Sequence, residues 1–163
     1  MKYGITGHQE RPGIDWTWVR QTLQNELTSH QGPVIGMSSL AKGSDQIFAE
    51  AVLASGGSLI AVVPRSDYES FFDGEYLDKY RQLLLVSEQI SLAGSSDHED
   101  DFLAAGVYIA DHVDCLLAVW DGKPSKGKGG TADVVKHALE VGKAFVHINP
   151  FSREVLRADP KQH

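Results

Sequence analysis

The sequence predicts a single α/β domain built on a doubly wound, mainly parallel sheet of about six strands with helices on both faces. Three observations carry that expectation. Short apolar runs alternate with longer amphipathic stretches along the chain. Two of the runs, Leu59-Ile60-Ala61-Val62-Val63 and Cys115-Leu116-Leu117-Ala118-Val119-Trp120, are continuously apolar and call for burial on both faces, as central parallel strands do. Finally, 163 residues with 42% apolar content suit one compact domain rather than two.

Taken in order, strands are expected at Lys2–Thr6, Pro33–Met37, Ser58–Pro64, Gln89–Ala93, Asp114–Asp121 and Ala144–Asn149. Five helices lie between them. Trp16–Leu27 is the first. Ser44 and Asp45 cap the second, whose apolar face includes Ile47, Phe48, Ala51, Val52 and Ala54 and which Gly56-Gly57 ends. Glu75–Ser87 places Leu77, Tyr80 and Leu84 three and four residues apart, and Asp100–His112 follows. Thr131 caps the last helix, which is expected to present Val134, Val135, Ala138 and Leu139 inward and to stop at Gly142. Residues 1–150 form the domain under this reading, and 151–163 a helical turn and a tail. Right-handed crossovers in such a sheet put ligands outside the carboxyl ends of the strands.

Charge and composition narrow the function. Fifteen basic against 22 acidic residues give a net charge of −7, which repels a long nucleic-acid backbone. Only Lys123–Lys128 is locally basic, and its glycines and proline suit a small anion better. The longest apolar or glycine run, Phe102–Ala110, is about half the length of a membrane span, so no membrane association is expected. The amino-terminal stretch has neither a basic lead nor a long apolar segment, which points to the cytoplasm. The single cysteine, Cys115, fits a reducing compartment and packs within an apolar strand.

Three strand-to-helix loops carry the chemistry. Gly4-Ile5-Thr6-Gly7-His8 leaves the first strand, and its glycines allow either close approach to a phosphate or merely a tight turn. Gly36-Met37-Ser38-Ser39-Leu40-Ala41-Lys42-Gly43-Ser44-Asp45 leaves the second; its small residues leave room for an anion, or for close helix-sheet packing. The fifth strand runs through Asp121 into Lys123-Pro124-Ser125-Lys126-Gly127-Lys128-Gly129-Gly130-Thr131. Here Asp121 can accept from ribose hydroxyls and Gly129, Gly130 and Thr131 can present free N–H groups to a phosphate. The spacing is not that of a P-loop. Arg65 is a candidate outer phosphate contact and Tyr68 a candidate stacking residue. No H-x-x-x-H pair or Cys partner supports a metal site, and no resident cofactor is expected.

In this order, G-I-T-G-H, G-M-S-S-L-A-K-G-S-D, L-I-A-V-V-P and G-K-G-G-T-A-D resemble the SLOG superfamily, the Rossmann-like group that contains the Smf/DprA proteins and the LOG phosphoribohydrolases. The resemblance extends over roughly Lys2–Pro150. It implies binding or sensing of a nucleotide or nucleotide-derived metabolite, NAD- or ADP-ribose-like or a nucleoside phosphate. It also implies a homodimer, and a pocket lined by Gly7, His8, Gly36, Ser38, Ser39, Gly43, Gly129, Gly130 and Thr131. LOG enzymes carry P-G-G-x-G-T-x-x-E with a catalytic glutamate, and Val134 occupies that position here. Asp133 sits one residue earlier, about 100° around a helix on a shorter stem. It is the candidate catalytic acid for the alternative, a LOG-like enzyme that cleaves the N-glycosidic bond of nucleoside monophosphates. A DNA-handling role of the Smf type is disfavoured by the acidic charge.

Overall fold

A computed structural model describes residues 1–125 and 130–160. Seven strands form one sheet: β1 (Lys2–Gly7), β2 (Ile35–Ser38), β3 (Ser58–Val63), β4 (Ser87–Ser91), β5 (Cys115–Val119), β6 (Ala144–Asn149) and β7 (Glu154–Ala158). The five helices are α1 (Trp16–Thr28), α2 (Ser44–Ala54), α3 (Gly74–Leu85), α4 (His98–Asp111) and α5 (Thr131–Glu140), with a 3₁₀ turn at Tyr68–Phe71. The spatial order is β4-β3-β2-β1-β5-β6-β7, parallel throughout except for β7. This is the α/β, doubly wound architecture that the alternation of runs predicts.

Side-chain alternation along the strands builds two cores. Tyr3, Ile5, Leu117 and Val119 face Val19, Leu23, Phe48 and Val52 of α1 and α2. Met37, Val62 and Leu116 face Ile109, Val134 and Ala138 of α4 and α5 on the other side. Each fully buried Leu, Ile or Phe contributes about 1.5–3 kcal/mol relative to exposure. Glycines inside the strands allow the helices to sit this close. A Cβ at Gly4 would lie 2.5 Å from Ile109 Cγ2, and one at Gly36 would lie 2.7 Å from Val52 Cγ2.

Two expectations are corrected. Residues 154–158 are not part of a turn and tail: β7 pairs antiparallel with β6, from Asn149↔Glu154 to Phe145↔Ala158. Its side chains are mostly exposed, so no apolar run marks it. What holds it is the β6 backbone, together with Arg157, which donates to the buried Glu26 of α1 at 2.7 Å. The fourth strand also begins two residues earlier than its apolar run, because an edge strand tolerates polar Ser87 and Glu88.

Helix starts differ as well. Gly43 and Gly130, rather than Ser44 and Thr131, occupy the N-cap positions of α2 and α5. The Ser44 hydroxyl instead donates to the His8 carbonyl at 2.7 Å, tying the loop after β1 to the start of α2.

Candidate functional site

The chain moves outward from β1 to β4 along one face, then returns through α4 on the other face to β5, on the far side of β1. That reversal leaves a crevice at the carboxyl ends of the strands. A cleft of about 580 Å³ occupies it. It is lined by Thr6, Gly7 and His8 of β1 and its loop, Ser39 after β2, Pro64 after β3, and Gly130, Thr131 and Val134 at α5. Phe71, Tyr76, His98 and Phe102 add an aromatic wall.

Six of the residues singled out in the sequence, Gly7, His8, Ser39, Tyr68, Gly130 and Thr131, line this cleft. Gly129 lies outside the described residues. The remaining candidates do not line it, each for a definable reason. Gly36 is filled against α2, as described above. Ser38 is fully buried, and its Oγ accepts the Leu40 amide at 2.9 Å. Gly43 has φ +85, and a Cβ there would lie 2.8 Å from Gln9 Cα and 2.9 Å from the His8 carbonyl oxygen.

Arg65 is turned to carboxylates, Asp101 at 3.1 Å and Asp67, rather than offered to a phosphate. Tyr68 is buried among Phe72, Tyr80 and Phe102. Asp121 spends its carboxylate on the Arg11 guanidinium at 3.1 Å and the Lys123 amide at 3.0 Å. Asp133 does not line the cleft, whereas Val134 does.

The expected convergence of amides from three loops becomes a more selective arrangement. In the loop after β2, the Leu40 amide is taken by Ser38 Oγ, the Ala41 amide by Asp45 at 3.2 Å and the Ser44 amide by the His8 carbonyl at 3.1 Å. At α4, Asp97 caps the Glu99 and Asp100 amides, and the first turn carries three acids. Among the described residues, α5 opens onto the cleft from a glycine N-cap with no capping side chain, and its first turn carries one acid, Asp133. Its first turn carries the positive end of the helix dipole toward the cleft.

Four ionisable groups in the cleft, His8, Asp45, Tyr68 and Tyr76, have displaced pKa values, and burial raises both phenols. His8 is held below the usual imidazole range, chiefly by burial and then by Arg11, against an opposing pull from Asp121. Its Nε2 receives the Asp121 amide at 3.1 Å and Arg11 Nη1 at 2.9 Å. Both partners are donors, so Nε2 carries the lone pair and the ring proton resides on Nδ1. Asp45, treated in the sequence only as a helix cap, has its carboxyl pushed up to about 7 by burial, against the hydrogen bonds from Ala41 and Ser38. It lines the cleft, as do Lys42 and Phe71, which the loop motifs did not single out. The sequence signal for Phe71 is an aromatic pair, Phe71-Phe72, inside an otherwise polar loop.

Leu40, at the back of this site, is fully buried with φ +59. Gln46 holds that strained residue by donating from Nε2 to its carbonyl at 3.2 Å. Cys115 is remote from the cleft, and burial pushes its thiol up to about 12. Among the described residues, no group of three His, Cys, Asp or Glu is placed to hold a metal, and no helix is long and apolar enough to cross a membrane.

Fold and site together define a Rossmann-like α/β protein with a cleft at the carboxyl edge of its sheet. Solved structures of similar fold exist. The chain is similar to the DNA processing protein A of Streptococcus pneumoniae, with TM-score 0.64, 21% identity, 91% of this chain covered and 50% of that one. The Helicobacter pylori counterpart, described for its single-stranded DNA binding mode, gives 0.67, 18%, 99% and 70%. The Moco carrier protein of Chlamydomonas reinhardtii gives 0.53, 18%, 90% and 74%. The chain thus spans about half the length of the pneumococcal protein. No family model and no curated protein matches the sequence. The likeness to these solved structures shows a Rossmann-like α/β fold, as the resemblance of the loop motifs implies.

Proposed function

We propose that this chain binds a nucleotide or nucleotide-derived metabolite in the carboxyl-edge cleft, with the phosphate against the first turn of α5. The observation that carries this reading is the contrast among helix starts. The amides near α2 and α4 are taken by protein oxygens, while α5 begins at Gly130 with no side-chain cap and lines the cleft. Lys42 and His8 line the same space, and the Lys42 ammonium adds charge of the right sign.

A small ligand is favoured over a polynucleotide. The cleft volume falls within the range typical of small-molecule sites, and the net charge of −7 opposes an extended polyanion. The neighbours fit either kind of ligand, since one is described by single-stranded DNA binding and another as a cofactor carrier. Binding is favoured over cleavage because Val134, not an acid, faces the cleft at the position of the LOG glutamate.

Thermal unfolding with a panel of nucleoside monophosphates tests the reading. A ligand at a hundred times its Kd adds about 2.7 kcal/mol of apparent stability. The backbone of Gly130 has φ −72, which other residues adopt, but a Cβ there would lie 2.5 Å from Ser125 Oγ and crowd the approach to α5. Gly130→Val therefore abolishes the ligand-induced shift while the unliganded protein still folds. An unchanged shift in that variant overturns the phosphate placement. Chromatography of the same mixtures covers the rival activity: free base that appears with the wild type and is lost in Asp133→Asn favours the phosphoribohydrolase.

A further inference from the structure

Phe71 is 47% exposed, yet it belongs to the aromatic wall of the cleft. An exposed phenyl ring on a concave surface leaves apolar area to be covered by whatever enters. The ring is also held in place. Phe102 meets it edge-on, with centroids 5.1 Å apart at 80°, and His98 lies tilted at 5.5 Å. The Arg65 guanidinium stands 5.8 Å from its centroid and is anchored by Asp101 and Asp67. A ring fixed by three neighbours loses little freedom when a second ring lies on it.

The wall and the α5 start line one cleft, and they differ in chemistry. The α4 side is unsuited to an anion, because Asp97 caps its amides and three acids occupy its first turn. The α5 side offers amides and a helix dipole but no aromatic residue. We propose that Phe71 is the stacking platform for the planar ring of the ligand. The ligand then spans the cleft, ring on Phe71 and phosphate at α5. This inference rests on the function proposed above and deepens it: the ligand class is a phosphate joined to a heteroaromatic ring, and a ring-free sugar phosphate forgoes half of the site. Tyr68, the stacking residue expected from the sequence, also lines the cleft but is buried, with its ring meeting Phe72 and Phe102 edge-on, and so offers a ligand little surface.

Isothermal titration of the wild type, Phe71→Ala, Phe71→Leu and Phe71→Trp with AMP and with ribose 5-phosphate tests the assignment. Base-aromatic stacking predicts that Phe71→Ala weakens AMP binding by about 5- to 150-fold and leaves ribose 5-phosphate binding unchanged. Phe71→Leu, which keeps apolar volume without a π face, behaves like the alanine variant. Phe71→Trp retains AMP affinity, and AMP quenches the new indole fluorescence. If AMP binds the wild type but the alanine and leucine variants weaken both ligands equally, or neither, the platform is overturned while the binding reading stands. If the wild type binds neither ligand, both fall.

Discussion

The Nε2 atom of His8, just beyond β1, accepts the backbone amide of Asp121, just beyond β5, at 3.1 Å. This bond closes the carboxyl edge of the sheet at its topological switch, between the two adjacent strands. Arg11 completes the clasp by donating to both His8 and Asp121. The residues that resembled ligand contacts in sequence therefore divide into two kinds: His8 faces the cleft, and Asp121 holds it in place.

The clasp predicts how His8 titrates. Burial and the neighbouring guanidinium disfavour its cation, so the folded pKa lies below the ordinary value of 6.5. Its contribution to stability is complete above that value and is lost as pH falls through the folded pKa. Arg11→Met raises the His8 pKa and Asp121→Asn lowers it further. Imidazole resonances followed by NMR across pH read both shifts, and movement in the opposite directions contradicts the arrangement.

Asp45 has the reverse sign. Its folded pKa, about 7, lies above the unfolded value, so its protonated form stabilises the fold fully at acid pH, and that stability is lost as pH rises through 7. The unfolding free energy of the wild type minus that of Asp45→Asn falls between pH 5 and 7 with a slope approaching about 1.4 kcal/mol per pH unit, then flattens. Urea melts at four pH values measure it. A difference independent of pH contradicts the buried carboxyl.

Two glycines with nearly the same positive φ separate strain from crowding. Gly56, at φ +82, has nothing within 4 Å of an added Cβ, whereas Gly43, at φ +85, meets the backbone of His8 and Gln9. Gly56→Ala costs about 1 kcal/mol, from backbone conformation alone. Gly43→Ala adds an immovable clash and costs about 2–4 kcal/mol. Equal losses in chemical denaturation contradict the packing role assigned to Gly43.

The strand that sequence periodicity misses is held at long range. Arg157→Ala leaves the buried Glu26 carboxylate without its guanidinium and destabilises the protein by about 1–3 kcal/mol. Glu26→Gln combined with Arg157→Ala recovers part of that loss, because no charge is then stranded. A double variant as unstable as the sum of the singles contradicts the pairing.

These cases explain what was legible in the sequence. Leu59–Val63 and Cys115–Val119 announce central strands because burial on both faces leaves no room for polar residues. β7 leaves no such mark, since an edge strand is fixed by its neighbour's backbone and by a residue 131 positions away. In the site, glycine and serine are ambiguous by nature: close packing and anion approach both require small residues. Gly36 and Gly43 serve packing alone, while Gly7 and Gly130 are closely packed and also line the cleft, and only the spatial arrangement separates the two pairs. Phe71 and Asp45 owe their character to exposure and burial, which local sequence does not encode.

The central claim is that one guest occupies the carboxyl edge with its phosphate at the start of α5. An amide-resolved NMR titration with AMP tests it most directly. The account predicts the largest shifts at Thr131 and Ala132, accompanied by Gly7, His8 and Phe71, with the amino-terminal ends of the strands unmoved. Shifts that leave the first turn of α5 untouched, or that gather on the opposite edge of the sheet, contradict it.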